Sequence, residues 1–172
     1  NDKTSNTSLP PHPCKWSIPE DKYNEFLSLF EEDIKDGGTY HITELHEEWG
    51  PIVVDIDFRL DTIVRRYDSN DIKRIVQLYM DQIKHYFGVE TFNAYVFEKP
   101  SPYKSNDIYK DGIHIMFPSI VTKPDVQYEI RENVIKIATE KNMFENFNLL
   151  NTLDDVFDVA VIKRSGWLLY GE

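Results

Sequence analysis

The stretch 51–59, PIVVDIDFR, constrains the fold more than any other part of the chain. Its β-branched and aromatic residues favour a strand, and the side chains of a strand alternate between two faces. Ile52, Val54, Ile56 and Phe58 therefore share one face, and Val53, Asp55, Asp57 and Arg59 share the other. The first face belongs in an apolar core. The second carries two carboxylates whose side chains start roughly 6–7 Å apart, the rise of two strand residues. A sheet built on this strand is expected to bury one face under helices and to present acids on the other.

Two later stretches split the same way. In GIHIMFP, residues 112–118, Ile113, Ile115 and Phe117 form an apolar face, with His114 and Met116 opposite. In VFDVAVIK, residues 156–163, Phe157, Val159 and Val161 form the apolar face, with Asp158 and Ala160 opposite. If the three strands share a sheet, Asp55, Asp57, Asp158 and His114 converge on one open surface.

Helical periodicity predicts helices over about 19–34, 70–87 and 124–141, with Gly88 stopping the second and Pro124 in the first turn of the third. Strands are expected over 40–45, 51–60, 91–99 and 112–118, the last ended by Pro118, and two short ones in VFDVAVIK and WLLYG. The lysine-bearing stretch 99–111 reads as a polar loop. The fold class expected is α+β, a mixed or antiparallel sheet with helices on one face. Residues 1–13, NDKTSNTSLPPHP, read as a disordered lead-in or linker, and residues 14–172 as one domain. The start at Asn1 and the stop at Glu172 are those expected of a fragment of a longer polypeptide.

Composition narrows the function classes. Cys14 is the only cysteine, so there is no disulfide framework, which fits a reducing compartment. No apolar run reaches the ~20 residues of a membrane span, and no signal-peptide pattern opens the chain, so a secreted protein is not expected. The net charge of −11 argues against a stand-alone nucleic-acid binder, which draws affinity from Lys and Arg contacts to phosphate. An enzyme that neutralises its own carboxylates with metal ions remains compatible.

Two or three carboxylates on a rigid sheet make an oxygen-rich site suited to Mg²⁺ or Mn²⁺. Two such ions about 3.5–4 Å apart can clamp the attacking and leaving oxygens of a phosphoryl transfer. Each residue alone also has an ordinary reading. D-x-D is common in strands, and His114 reads as a hydrogen-bonded structural histidine. Asp158 reads as a surface residue whose place Asp154 or Asp155 could take, and Lys99, Lys104 and Lys110 as solubilising loop charges. The repeated facial split, rather than any single residue, favours the site.

Three stretches in order, TELHEEWGPIVVDIDFR, KDGIHIMFP and FDVAVIKRSGWLLYG, resemble the three motifs of the archaeo-eukaryotic primase superfamily. They are most similar to the primase domain at the front of the primase–helicase proteins of nucleocytoplasmic large DNA viruses, of the pox-, asfar- and mimivirus kind. The resemblance covers about residues 12–171 and implies an RRM-like primase catalytic core. It implies that Asp55, Asp57 and Asp158 bind catalytic divalent metals, two Mg²⁺ or Mn²⁺, and that His114 contacts the phosphates of the incoming nucleotide. It places Lys110, Arg164 and Arg59 where basic residues can meet a triphosphate. The pattern departs in two places: Gly112 stands where many primases have a small hydroxyl residue, and the serine and lysine usual after the tyrosine-glycine of WLLYG are replaced by Glu172 at the end of the chain.

The resemblance implies template-directed phosphodiester formation from nucleoside triphosphates on single-stranded DNA, making primers for viral replication in the host cytoplasm or nucleus. It also implies a helicase or ATPase domain further along the full protein, since no P-loop occurs here. Three rivals stand beside it. A metal-dependent nuclease would use the same acids with water as nucleophile. A glycosyltransferase would use D-x-D to hold a metal–diphosphate, but would not be expected to place His114 and Asp158 at these strand positions. An inactive primase fold serving as a docking module should have lost some of the four site residues, and all are present.

Overall fold

The computed structural model describes residues 6–9, 13–44, 48–163 and 166–169. In chain order the elements are β1 (Asn6–Ser8), β2 (Cys14–Trp16), α1 (Tyr23–Lys35), β3 (Ile42–Glu44), β4 (Gly50–Leu60), α2 (Ser69–Phe87), β5 (Tyr95–Glu98), β6 (Tyr103–Ser105), β7 (Ile108–Thr122), α3 (Pro124–Glu140), α4 (Leu153–Val156), β8 (Phe157–Asp158), α5 (Ala160–Lys163) and β9 (Trp167–Leu168). The fold is α+β with antiparallel sheets, consistent with a primase core. The chain divides into two compact units, Glu48–Lys163 and Asn1–Glu47 with Arg164–Glu172. Among the described residues no helix is long and apolar enough to cross a membrane.

The larger unit holds a sheet in the order β5-β7-β4-β8, with β6 also paired to β7 and every pairing antiparallel. The expected facial split holds on its two long strands. Ile52, Val54, Ile56 and Phe58 of β4 and Ile113, Ile115 and Phe117 of β7 are all at most 4% exposed. Against them pack Ile75, Leu78, Tyr79 and Ile83 of α2 and Ile130, Val134 and Ala138 of α3. Helix α2 is bounded by local chemistry: Asp68 accepts from the backbone N–H groups of Asn70 and Asp71 in a capping box, and Gly88 closes the helix at φ +63. Pro124 opens α3, where its missing N–H costs nothing.

Three expectations fail here. Strand β7 does not end at Pro118 but continues to Thr122. The pairing jumps there, with Ile52 opposite Phe117 and Pro51 opposite Val121. Proline is tolerated because a bulge asks no ladder hydrogen bond of it. The stretch 99–111 is not a loop throughout. It forms β6 and the first turns of β7's ladder, a hairpin around Asn106 and Asp107, where Asn106 adopts the left-handed conformation that asparagine tolerates. Finally, VFDVAVIK is not one alternating strand. Only Phe157–Asp158 is strand, between the short helices α4 and α5. Phe157, Val161 and Ile162 are buried while Val159 is 38% exposed, which is helical rather than two-residue spacing.

The smaller unit has a sheet in the order β2-β1-β3-β9. Within the stretch expected to be a lead-in, Asn6–Ser8 pairs with both β2 and β3, and Asn6 and Ser8 are buried. Phe30 of α1 packs with Ile42 and Leu169, supported by Phe26, Leu27 and Ile34. The strand expected over 40–45 begins only at Ile42, since His41 has a positive φ of 51°. Leu45 and His46 lie outside the described residues.

Gly112 explains one departure from the primase pattern. A Cβ there would lie 2.2 Å from the carbonyl oxygen of Ile56, on the strand directly beside it. Backbone on backbone cannot yield as a side chain can, so β4 and β7 would have to separate. Gly112→Ala is expected to destabilise the protein by about 1–3 kcal/mol, the usual scale of overpacking, read as a lower urea midpoint. A midpoint equal to wild type would show that the strands do not approach this closely.

Candidate metal centre

Strand register brings the acids together. Asp55 sits opposite His114 of β7 on one side and opposite Asp158 of β8 on the other. Directly opposed residues point to the same face of a sheet, so these three join Asp57 on the surface away from the helices. One carboxylate oxygen from each of Asp55, Asp57 and Asp158 lies within 4.8 Å of the others, and each residue is half-buried. Three negative charges this close repel by about 1–3 kcal/mol per pair at an effective dielectric of roughly 20–80.

The donor set fits a hard divalent cation. Its ligands are oxygens on rigid strands, and one is unsatisfied: Asp55 Oδ1 is buried and accepts no hydrogen bond. His114 Nε2 stands 3.2 Å from that oxygen, an ion pair only when the imidazole is protonated, and lacks hydrogen-bond alignment to it. A buried acceptor without a donor is costly, and a cation on the carboxylate side removes that cost. Asp158 is oriented locally, its Oδ1 accepting from the backbone N–H of Ala160 at 2.9 Å.

Basic groups ring the acids. Lys99, whose ordinary reading is a solubilising loop charge, extends Nζ to within 3.3 Å of Asp57 Oδ1. Lys110 and Arg59 stand opposite each other two residues beyond Asp57 and Gly112, on the same face. Arg164 lies outside the described residues.

Several residues that build this centre carry no signal in the strand pattern. Arg131 of α3 is buried, and its Nε donates to the Phe157 carbonyl at 2.6 Å. Its Nη2 donates to the carbonyl and the carboxylate of Asp154, at 2.6 and 2.8 Å. A two-residue strand has little ladder of its own, so this guanidinium fixes the backbone from which Asp158 projects. Asn151 does the same for β4: its Nδ2 donates to the Asp57 carbonyl at 2.9 Å and its Oδ1 accepts from the Arg59 N–H at 3.1 Å. On the core side Arg65 grips the fully buried Asp111 with two nitrogens, at 2.9 and 3.0 Å, and also pairs with Glu98 and the Lys99 carbonyl. The hydrogen bonds that Arg65 donates to Asp111 raise the Arg65 pKa, and burial, helped by the Asp111 charge, raises that of Tyr67, keeping both as donors. The clamp ties the end of β5, where Lys99 emerges, to the start of the GIH motif.

Arg131→Met keeps an apolar stem but leaves the Phe157 and Asp154 carbonyls without their donor. We expect a loss of about 1–3 kcal/mol in stability and, in the folded protein well below its melting temperature, a 10- to 100-fold loss in Mn²⁺ affinity, the usual scale for groups that orient ligands. Calorimetric titration reads the second effect separately. Unchanged Mn²⁺ affinity would remove Arg131 from the support of the site.

Comparison with known proteins places this geometry in a family. A family model described as the C962R protein N-terminal AEP domain matches residues 5–172. Among curated proteins, the helicase-named protein L207/L206 of Acanthamoeba polyphaga mimivirus is 44% identical over 161 residues, covering 91% of this chain and 17% of that protein. The helicase-named proteins 184R of Invertebrate iridescent virus 6 and 121R of Invertebrate iridescent virus 3 are 23% and 22% identical, covering 91% and 92% of this chain and 18% of each relative. The chain thus spans less than a fifth of the length of these relatives. The match runs nearly from end to end, and the chain belongs to the AEP family, in the group of C962R-type N-terminal AEP domains.

Proposed function

We propose that this domain is a DNA primase or primase–polymerase, joining nucleotides on a single-stranded DNA template to make primers in viral DNA replication. The observation that carries this reading is the convergence of Asp55, Asp57 and Asp158 within 4.8 Å on the open face of a sheet, with a buried Asp55 oxygen lacking a hydrogen bond. Membership of the AEP family supports it. The three aspartates would hold Mg²⁺ or Mn²⁺ there. Two such ions, when bound, lower the pKa of an attacking 3′-hydroxyl and stabilise charge on departing pyrophosphate.

The other residues act on the nucleotide. Lys99 holds Asp57 while the acids are uncompensated, and is placed to exchange that carboxylate for a phosphate oxygen. His114, beside Asp55, and Lys110 with Arg59, two residues further along the same face, supply charge-assisted hydrogen bonds to the triphosphate. Arg164 is a further candidate for that role. No side chain is needed as a covalent nucleophile. On a chain of net charge −11 the template is held with help from elsewhere. The helicase names of the viral relatives, of which this chain spans under a fifth, support a helicase or ATPase domain beside it in a full-length protein. We place its action in the host cytoplasm or nucleus.

The test uses the chain with single-stranded DNA, labelled ribo- or deoxynucleoside triphosphates, and Mg²⁺ or Mn²⁺. We expect primer synthesis or extension that falls by at least about 10³-fold in Asp57→Asn, the order of loss on removing an electrostatic catalytic group. Degradation of the DNA without synthesis would overturn the reading in favour of a nuclease. Lys99→Gln separates the two partners of that lysine. With a competing cation gone from Asp57, Mn²⁺ affinity is expected to hold or rise, while triphosphate affinity falls by about 10-fold, the worth of one charge-assisted contact. A fall in both would show that Lys99 only supports the acids.

A further inference from the structure

The open face of the larger unit's sheet is sorted by column. The inner columns carry the acids, Asp158 on β8 and then Asp55 and Asp57 on β4. The middle column, on β7, reads Met116, His114, Gly112, Lys110. The outer column follows from register: Tyr95 opposite Met116, Phe97 opposite His114, Lys99 with its N–H on the Gly112 carbonyl, and Tyr103 opposite Lys110. Glu98 and Asp111 belong to the other side of the sheet, so on a chain of net charge −11 the middle and outer columns of this face hold no carboxylate.

Two large rings stand open there. Tyr95 is 51% exposed and Tyr103 is 49% exposed. The Lys99 ammonium lies 5.6 Å from the centre of the Tyr103 ring, so the cation that reaches Asp57 also borders an aromatic surface. Residues in this column are spaced by about 6.6 Å, two strand rises. Open aromatic faces on either side of Lys99, with Lys110 in the next column and an acid cluster suited to metal nearby, are what a nucleotide chain needs: rings for the bases, cations for the phosphates. Stacking of this kind is tolerant of sequence because every base has a π-face.

We propose that the β5–β6 edge column is a base-stacking track for single-stranded nucleic acid, with Tyr95 and Tyr103 as its platforms, beside the cations Lys99 and Lys110. The proposal deepens the primase reading and rests on it for the identity of the chain being stacked. It sets the strand's path across the sheet, from the acids outward over β7 to the edge.

The test measures binding without chemistry. A fluorescein-labelled thymidine 16-mer and an abasic strand of the same length are titrated with the whole chain in Mg²⁺, by anisotropy. Tyr95→Ala and Tyr103→Ala are each expected to weaken binding of the thymidine strand by about 5- to 100-fold. Tyr95→Phe and Tyr103→Phe should bind as wild type, since the ring and not the hydroxyl stacks. The abasic strand should bind wild type and the alanine variants alike. Both tyrosines are exposed, so melting temperatures are expected to stay within a degree or two of wild type. Unchanged affinity in the alanine variants, an equal loss on the abasic strand, absence of strand binding by wild type, or a loss confined to competing thymidine triphosphate would each overturn the track. None of these outcomes depends on the metal centre, whose failure would show in the synthesis assay instead.

Discussion

A slip of one residue between β4 and β7 would carry Asp55 and Asp57 into the core and expel Ile52, Val54, Ile56 and Phe58. The structure depends on that slip not happening. What prevents it is the apolar side of the same two strands, where a fully buried Ile, Val or Phe is worth about 1.5–3 kcal/mol each. Gly112 adds a second constraint, since only a glycine opposite Asp57 lets the strands come this close. The same register that hides the isoleucines sets His114 and Asp158 on either side of Asp55. Packing on one face therefore decides chemistry on the other.

The acid cluster is unfavourable by itself. Mutual repulsion of about 1–3 kcal/mol per pair is comparable to the burial of one apolar side chain, so the core can carry it, but the carboxylates must still be kept from splaying. Arg131, Asn151 and the Arg65–Asp111 clamp do this without binding the carboxylates of the three acids. They leave the acid oxygens for another partner and hold β8, β4 and the end of β5 in place. Lys99 offsets part of the charge, yet Asp55 Oδ1 keeps no donor. A site arranged in this way has the donor set to hold a cation.

The parts of this arrangement legible in sequence were those written in local periodicity. The two-residue alternation of PIVVDIDFR and GIHIMFP placed Asp55, Asp57 and His114 on one face and the core on the other, because strand alternation is a property of the backbone. Asp158 was placed on the right face for an incomplete reason: its strand is two residues long, and helical turns, not alternation, bury Val161 and Ile162. Pro118 read as a stop because a bulge cannot be seen in one strand alone. Arg131 and Asn151 were illegible because their partners lie 26 and 94 residues away. A buried arginine on an amphipathic helix looks like any surface charge until the carbonyl it serves is known. The contact of Lys99 with Asp57, 42 residues away, was hidden for the same reason. The exposed tyrosines of the sheet edge could have been found by the alternation of Tyr95, Phe97 and Lys99, had β5's neighbour been known.

The central claim is that Asp55, Asp57 and Asp158 form a divalent-metal centre. Crystals of the protein grown or soaked in Mn²⁺, with anomalous scattering collected at the manganese edge, test it most directly. The expected result is at least one strong peak at coordinating distance from all three carboxylates, about 2.0–2.3 Å, with Asp55 Oδ1 among the ligands, and loss of that peak in Asp55→Asn. Full Mn²⁺ occupancy elsewhere with no peak at the three aspartates would contradict it.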